Sequence, residues 1–272
     1  MPYYRPNNGI TPGVKIILII NVVMFGLTYL CKTRFNIDLV NLLGLHAIQS
    51  QYWNPIQYIT HMFMHGGIQH IFFNMFAVYI FGRVLENVWG TKRFLFYFLL
   101  TGFGAALLNG VINYIEIGSM IDKFEAFTNT PTPTLLSDFI YNNLSNPSQY
   151  VFNTINHWTA DPTSELYKQQ GLQIYAQVVK LLADVPTIGA SGAVFGLLIA
   201  FGMLFPNSEL FLMFIPIPIK AKYFVIGYGL IELFLGMNNG IGDNVAHFAH
   251  LGGMLFGYII MKFWKKNKKT FY

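Results

Sequence analysis

The chain is poor in charge and almost without cysteine. Of its 272 residues only 11% are Asp, Glu, Lys or Arg, and one is cysteine. A soluble domain carries about a quarter charged residues, so this fraction excludes an ordinary water-facing surface. The lone Cys31 excludes an intrachain disulfide, and no metal-ligand pattern surrounds it. Acids are the scarcer sign, 12 against 17 Lys and Arg. The excess of positive charge is spread over short loops and the C-terminal tail rather than gathered into a patch, which argues for membrane topology and against nucleic acid as a partner. What the chain has in quantity is apolar surface: 54% hydrophobic and 17% aromatic residues. Such a composition belongs to multi-pass membrane proteins.

A hydrocarbon core about 30 Å thick needs roughly twenty helical residues. Six stretches qualify: Val14 to Cys31, Ile68 to Leu85, Phe94 to Ile115, Ala190 to Phe205, Tyr223 to Leu235 and Ala246 to Trp264. The fourth is short, and Glu232 interrupts the fifth. Six spans place Arg5, Lys15, Arg83, Lys92, Arg93, Lys220, Lys222, Lys262, Lys265, Lys266, Lys268 and Lys269 on one side. Only Lys32, Arg34, Lys123, Lys168 and Lys180 fall on the other, so both termini read as cytoplasmic. The first span lacks a small-residue cleavage site before Lys32 and reads as a retained helix. With no evident organellar presequence, the expected location is a bacterial plasma membrane.

Residues 116 to 185 depart from this pattern. Seven acids, Thr-Asn-Thr-Pro-Thr-Pro-Thr at 128 to 134 and repeated Asn and Ser mark a polar, extracytoplasmic insertion between the third and fourth spans. Residues 1 to 272 form a single membrane domain with this insertion inside it. Leu172, Ile174, Tyr175, Val178, Val179, Leu181 and Leu182 recur with partial helical period, predicting an amphipathic helix against the bundle or the lipid surface. The preceding Pro- and Asn-rich portion reads as loop.

Two strings carry chemistry. Gly189-Ala190-Ser191-Gly192 opens the fourth apolar stretch, and Ala249-His250-Leu251-Gly252-Gly253 lies in the sixth. A serine hydroxyl is a weak nucleophile until a base accepts its proton, and imidazole suits that task near neutral pH. Ser191 at the first turn of a helix also meets unpaired backbone N–H groups and the positive end of the helix dipole, which favour an oxyanion. Gly192 with Gly196, and Gly253 with Gly257, repeat at four residues and let two helices approach closely. Either string alone serves helix packing as readily as catalysis. A third element is His61-Met62-Phe63-Met64-His65-Gly66-Gly67-Ile68-Gln69-His70-Ile71-Phe72-Phe73-Asn74. His70 and Asn74 share a helix face and offer two hydrogen-bond donors without formal charge. His61, His65 and His70 raise the question of a metal, but no acid or cysteine completes a ligand set, so neither metal nor cofactor is expected.

The ordered set of His65, His70 and Asn74, then Gly189 to Gly192, then His250, Gly253 and Gly257 resembles the rhomboid intramembrane serine proteases. The resemblance covers about residues 14 to 264 apart from the insertion. It implies an all-α membrane protein, a six-transmembrane-helix bundle, in which Ser191 is the nucleophile, His250 the base, and His70 and Asn74 with the Ser191 N–H the oxyanion hole. It implies hydrolysis of peptide bonds in or near transmembrane segments of membrane proteins, in contact with lipid. A catalytically inactive relative that binds membrane helices is the alternative. The family uses a Ser–His dyad, so neither Asp243 nor Glu232 is required as a third member, and His247 reads as a polar neighbour near the water interface. Glu86, beside Arg83, Lys92 and Arg93, resembles a structural polar cluster, and Tyr52-Trp53-Asn54-Pro55 an interfacial loop. Gly236 to Gly242 reads equally as a mobile cap or an ordinary turn. Substrate identity and oligomeric state are not legible.

Overall fold

The structure, a computed structural model, describes residues 9–212, 215–238 and 246–266. Arg5, Lys268, Lys269, Asp243 and residues 239–242 of the glycine-rich stretch lie outside them. Helices occur at all six apolar stretches. They are α1 (Pro12–Phe35), α2 (Ile68–Trp89, with a π turn at Val78–Gly82) and α3 (Thr91–Asn129), followed after the polar region by α7 (Ser191–Leu204), α8 (Ala221–Asn238) and α9 (His247–Lys266). Among the described residues, α1, α2 and α3 are long and apolar enough to cross a membrane, and α7 is a shorter apolar helix.

Helix α7 is the axis of the bundle. Nine of its 14 residues are buried, including Ala193, Leu197 and Ala200, and it packs on α3 and α9 with α2 and α8 alongside. Helix α1 is the opposite case, with the highest hydropathy of the three long helices and little of it buried within the fold. Ile19, Val22 and Val23 are exposed, and such a surface is stable only against another apolar phase. Its N-terminus is fastened by a carboxylate. Glu86 Oε1 accepts the Gly13 N–H at 2.7 Å and Oε2 the Val14 N–H at 2.9 Å, two donors a helix start leaves unpaired. The Thr91 hydroxyl at the start of α3 donates to Oε1 as well, at 2.6 Å. The polar cluster read from Glu86 is thus a helix cap joining α1, α2 and α3.

The polar region differs from its sequence reading. Helix α3 does not end near Ile115 but runs 39 residues, about 58 Å, well beyond a hydrocarbon core. Its outer part carries α4 (Pro133–Asn143), α5 (Gln149–Ala160) and α6 (Glu165–Ala183). The expected loop is therefore largely helical. Pro133 stands in the first turn, where its missing N–H costs nothing, and the Thr132 and Ser148 hydroxyls accept the N–H groups of Leu135 and Val151. Ile117, Phe127, Leu136, Phe139, Trp158 and Tyr175 build a second core here, separate from that of the bundle. Phe139 and Tyr175 stack at 3.6 Å. The amphipathic helix expected near residues 172 to 182 is α6, and it faces this small cap rather than lipid.

The all-α expectation misses one feature. A two-stranded antiparallel hairpin, β1 (Glu209–Leu212) and β2 (Ile215–Lys220), joins α7 to α8. Alternating Ile and Pro make a strand of two-residue period whose prolines cannot donate to a ladder, which an edge strand tolerates.

Candidate active site

Ser191 is the first residue of α7, and the chain that delivers it is held on three sides. Thr187 exchanges both backbone hydrogen bonds with Leu45, at 2.9 and 2.8 Å, and its Oγ1 accepts from Asn109 Nδ2 of α3 at 3.0 Å. The Gly189 N–H donates to the His61 carbonyl at 2.9 Å. Gly189 has φ +118°, a conformation that side chains rarely adopt, and a Cβ there would stand 2.6 Å from His70 Nε2. Glycine is required at that point on both counts. The same close approach places His70 and Asn74 against the strand leading into Ser191.

His250 lies on the first turn of α9, which the glycine pairs draw onto α7. A Cβ on Gly253 would strike the Gly192 carbonyl, and one on Gly257 would stand 2.5 Å from the Tyr97 hydroxyl. Gly192 and Gly196 in turn press on Ala105 and Thr101 of α3. The predicted small-residue contact is present, with α3 as a third participant. Ser191 Oγ and His250 Nε2 are 2.8 Å apart, within hydrogen-bond reach. The imidazole is buried and lies flat on Phe195, with ring centroids 4.2 Å apart and planes within 9°. Phe195 is one helical turn beyond Ser191, and that i,i+4 spacing was the signal available in the sequence.

On the other side of Ser191, His70 and Asn74 occupy successive turns of α2. The Gly66 N–H points at His70 Nδ1 at 3.4 Å, so a neutral imidazole carries its hydrogen on Nε2, the nitrogen facing Gly189. Asn74 Nδ2 donates to the His70 carbonyl at 3.0 Å and keeps a second N–H. His61 and His65 lie behind this face. His61 Nδ1 engages the Gln57 carbonyl at 2.9 Å, and the His65 ring meets His70 edge-on at 5.0 Å.

Glu232, which a dyad does not require, is buried, and its Oε2 lies 2.9 Å from His250 Nδ1 and 2.6 Å from His247 Nδ1. His247 is likewise buried. The available signal was a single acid inside an apolar run. Among the described residues, Glu232, His247 and His250 also form a group of potential metal ligands, with ligand atoms within 4.8 Å of one another. His61, His65 and His70 form no such group among the described residues.

A profile of the Rhomboid domain matches residues 49–116 and 152–266, which hold His70, Asn74, Ser191, Glu232 and His250. The chain belongs to the rhomboid family. The profile passes over residues 117–151, the outer part of α3, all of α4 and the start of α5. Three curated rhomboid relatives are similar. An uncharacterized mitochondrial rhomboid protein of Schizosaccharomyces pombe is 26% identical over 227 residues, 77% of this chain and 51% of that protein. Rhomboid protein 1, mitochondrial, of Saccharomyces cerevisiae is 31% identical over 97 residues, 35% of this chain and 28% of its own length. RHOMBOID-like protein 6, mitochondrial, of Arabidopsis thaliana is 43% identical over 53 residues, 20% of this chain and 17% of its own. The chain thus spans about half the length of the first relative and less of the others. All three names place those rhomboids in mitochondria, which overturns the expectation of a bacterial plasma membrane and, with it, the label cytoplasmic for the side bearing the termini. That expectation rested on a compact chain and on a missing presequence.

Proposed function

We propose that this rhomboid is an intramembrane serine endopeptidase, a multi-pass protein whose six apolar helices all cross the bilayer and which cuts peptide bonds in or near transmembrane segments of other membrane proteins. The 2.8 Å pair of Ser191 Oγ and His250 Nε2 carries this reading. Oγ attacks the scissile carbonyl carbon as its proton passes to Nε2, and the carbonyl oxygen becomes an oxyanion. His70 Nε2–H, the free Asn74 N–H and the Ser191 N–H are the donors that stabilise it. The intermediate collapses by breaking the C–N bond, and Nε2 returns the proton to the departing amine. Water then attacks the acyl-serine ester with His250 again as base, releasing the acid and restoring the hydroxyl.

Access to water follows from the length of α7. At 14 residues it is about 21 Å long, so Ser191 opens a helix too short to span the hydrocarbon and lies below its surface. Helix α6 ends eight residues before Ser191, so the cap joins the chain at that end of α7.

Purified protein in lipid or detergent is expected to cut a reporter transmembrane segment, and both Ser191→Ala and His250→Ala to abolish cutting. Wild-type turnover in either variant sinks the assignment. A wild-type protein that retains the reporter without cutting it is instead the inactive, helix-binding alternative.

A further inference from the structure

The burial pattern of α8 singles out one residue. Ile226, Leu230, Ile231 and Phe234 are all more than half exposed, as suits a helix against lipid, while Ala221, Val225 and Glu232 are buried. Those three fall on one helical face at spacings of four and seven. The single acid of α8 is therefore turned inward, where an ionisable group in a membrane helix is costly unless it is partnered. Its partners are the Nδ1 atoms of His247 and His250, which stand one turn apart on α9 and converge on the same oxygen.

An ionised carboxylate only accepts hydrogen bonds, so the nitrogen facing it carries the hydrogen. For His250 this assigns the proton to Nδ1 and leaves Nε2 with its lone pair toward Ser191 Oγ. A neutral imidazole without such a partner distributes its proton between both nitrogens, and the form with Nε2–H cannot act as base. When Nε2 takes the serine proton the ring becomes a cation between Phe195 and α8, and the nearest opposite charge is the Glu232 carboxylate. His247 steadies that carboxylate from a second position on the helix that bears His250.

We propose that Glu232 is a positioning residue for His250, fixing the tautomer and ring orientation in which Nε2 accepts the Ser191 proton, so that the site works as a Ser–His–Glu triad rather than a dyad. The inference rests on the protease reading given above. Its chemistry parallels the carboxylate of soluble serine proteases, whose replacement by the amide costs about 10⁴-fold in kcat through the wrong tautomer.

The test measures kcat, KM and melting temperature for reporter cleavage by the full chain in detergent, with Glu232→Gln, Glu232→Asp and His250→Ala beside the wild type. Glu232→Gln, of equal shape, is expected to lower kcat by about 10² to 10⁴ with KM within about twofold and the melting temperature nearly unchanged. Glu232→Asp, which keeps the charge on a shorter arm, is expected to recover part of that loss. Wild-type kcat in Glu232→Gln while His250→Ala is inactive overturns the triad and leaves the protease intact. A melting temperature that falls in step with the rate assigns Glu232 to folding and also overturns it. Wild-type activity lost to a chelator and restored by zinc replaces the triad with a metal site. A wild type that cuts nothing removes the protease reading, and the triad with it.

Discussion

Gly253 on α9 rests directly on the carbonyl of Gly192 on α7, with no room for a Cβ between them. This contact decides how near His250 comes to Ser191, because the two side chains leave the same helices within three residues of it. Gly253→Ala is expected to destabilise the protein by about 1 to 3 kcal/mol through overpacking, and to lower turnover further by moving His250 away from Ser191. Gly227→Ala, where nothing lies within 4 Å, is the matched control and should be neutral or slightly stabilising. Thermal unfolding in detergent distinguishes them.

Asn74 has its described hydrogen bond only within its own helix, to the His70 carbonyl. On the proposed mechanism its replacement is expected to cost more in the transition state than in folding. Asn74→Ala is expected to reduce kcat by about 10² to 10³, the usual loss for one oxyanion donor, with a small change in melting temperature. An equal loss of stability and rate would undercut the oxyanion role.

The cap has its own core, so it should fail on its own. Trp158 is fully buried there and fills the space left by Gly171, whose Cβ position lies 2.5 Å from the Trp158 ring. Trp158→Ala is expected to cost the cap about 3 to 5 kcal/mol. Hydrogen exchange should then quicken in α4 to α6 while α7 and α9 keep their protection. Uniform loss of protection would mean that cap and bundle unfold together.

Burial holds the His61 imidazole down at about 4, from an ordinary value of 6.5. Between those values the unfolded chain binds the proton and the folded protein does not, so acid favours unfolding. The contribution of His61 is fully present above about 6.5 and is lost as the pH falls toward about 4. His61→Gln, which cannot titrate, should flatten the decline of melting temperature across this range. An unchanged slope would place the acid sensitivity elsewhere.

Much of the bundle was legible because its cause is local. Apolar runs of membrane length announced the helices near Val14, Ile68, Phe94, Ala190, Tyr223 and Ala246, and glycines four apart announced the α7–α9 contact. The boundary at residue 115 was misread because acids and a lysine end the apolar run without ending the helix: α3 continues through Glu116, Asp122, Lys123 and Glu125. Pro133 and the Asn-rich segments looked like loop because proline marks a helix start as well as a break. The hairpin between α7 and α8 follows Pro206-Asn207-Ser208, a turn cluster that introduces connecting chain as readily as a strand.

Residue type and spacing alone determined the family resemblance, the membrane setting and the candidates Ser191, His250, His70 and Asn74. Chemistry that depends on a run of neighbours, or on one helix face, is written in order along the chain. The tertiary structure alone decided the separate core of the cap and the place of Glu232. An acid eighteen positions before His250 on another helix belongs to no motif. Only the packing of α8 on α9, with its other face exposed, brings that carboxylate to the imidazole.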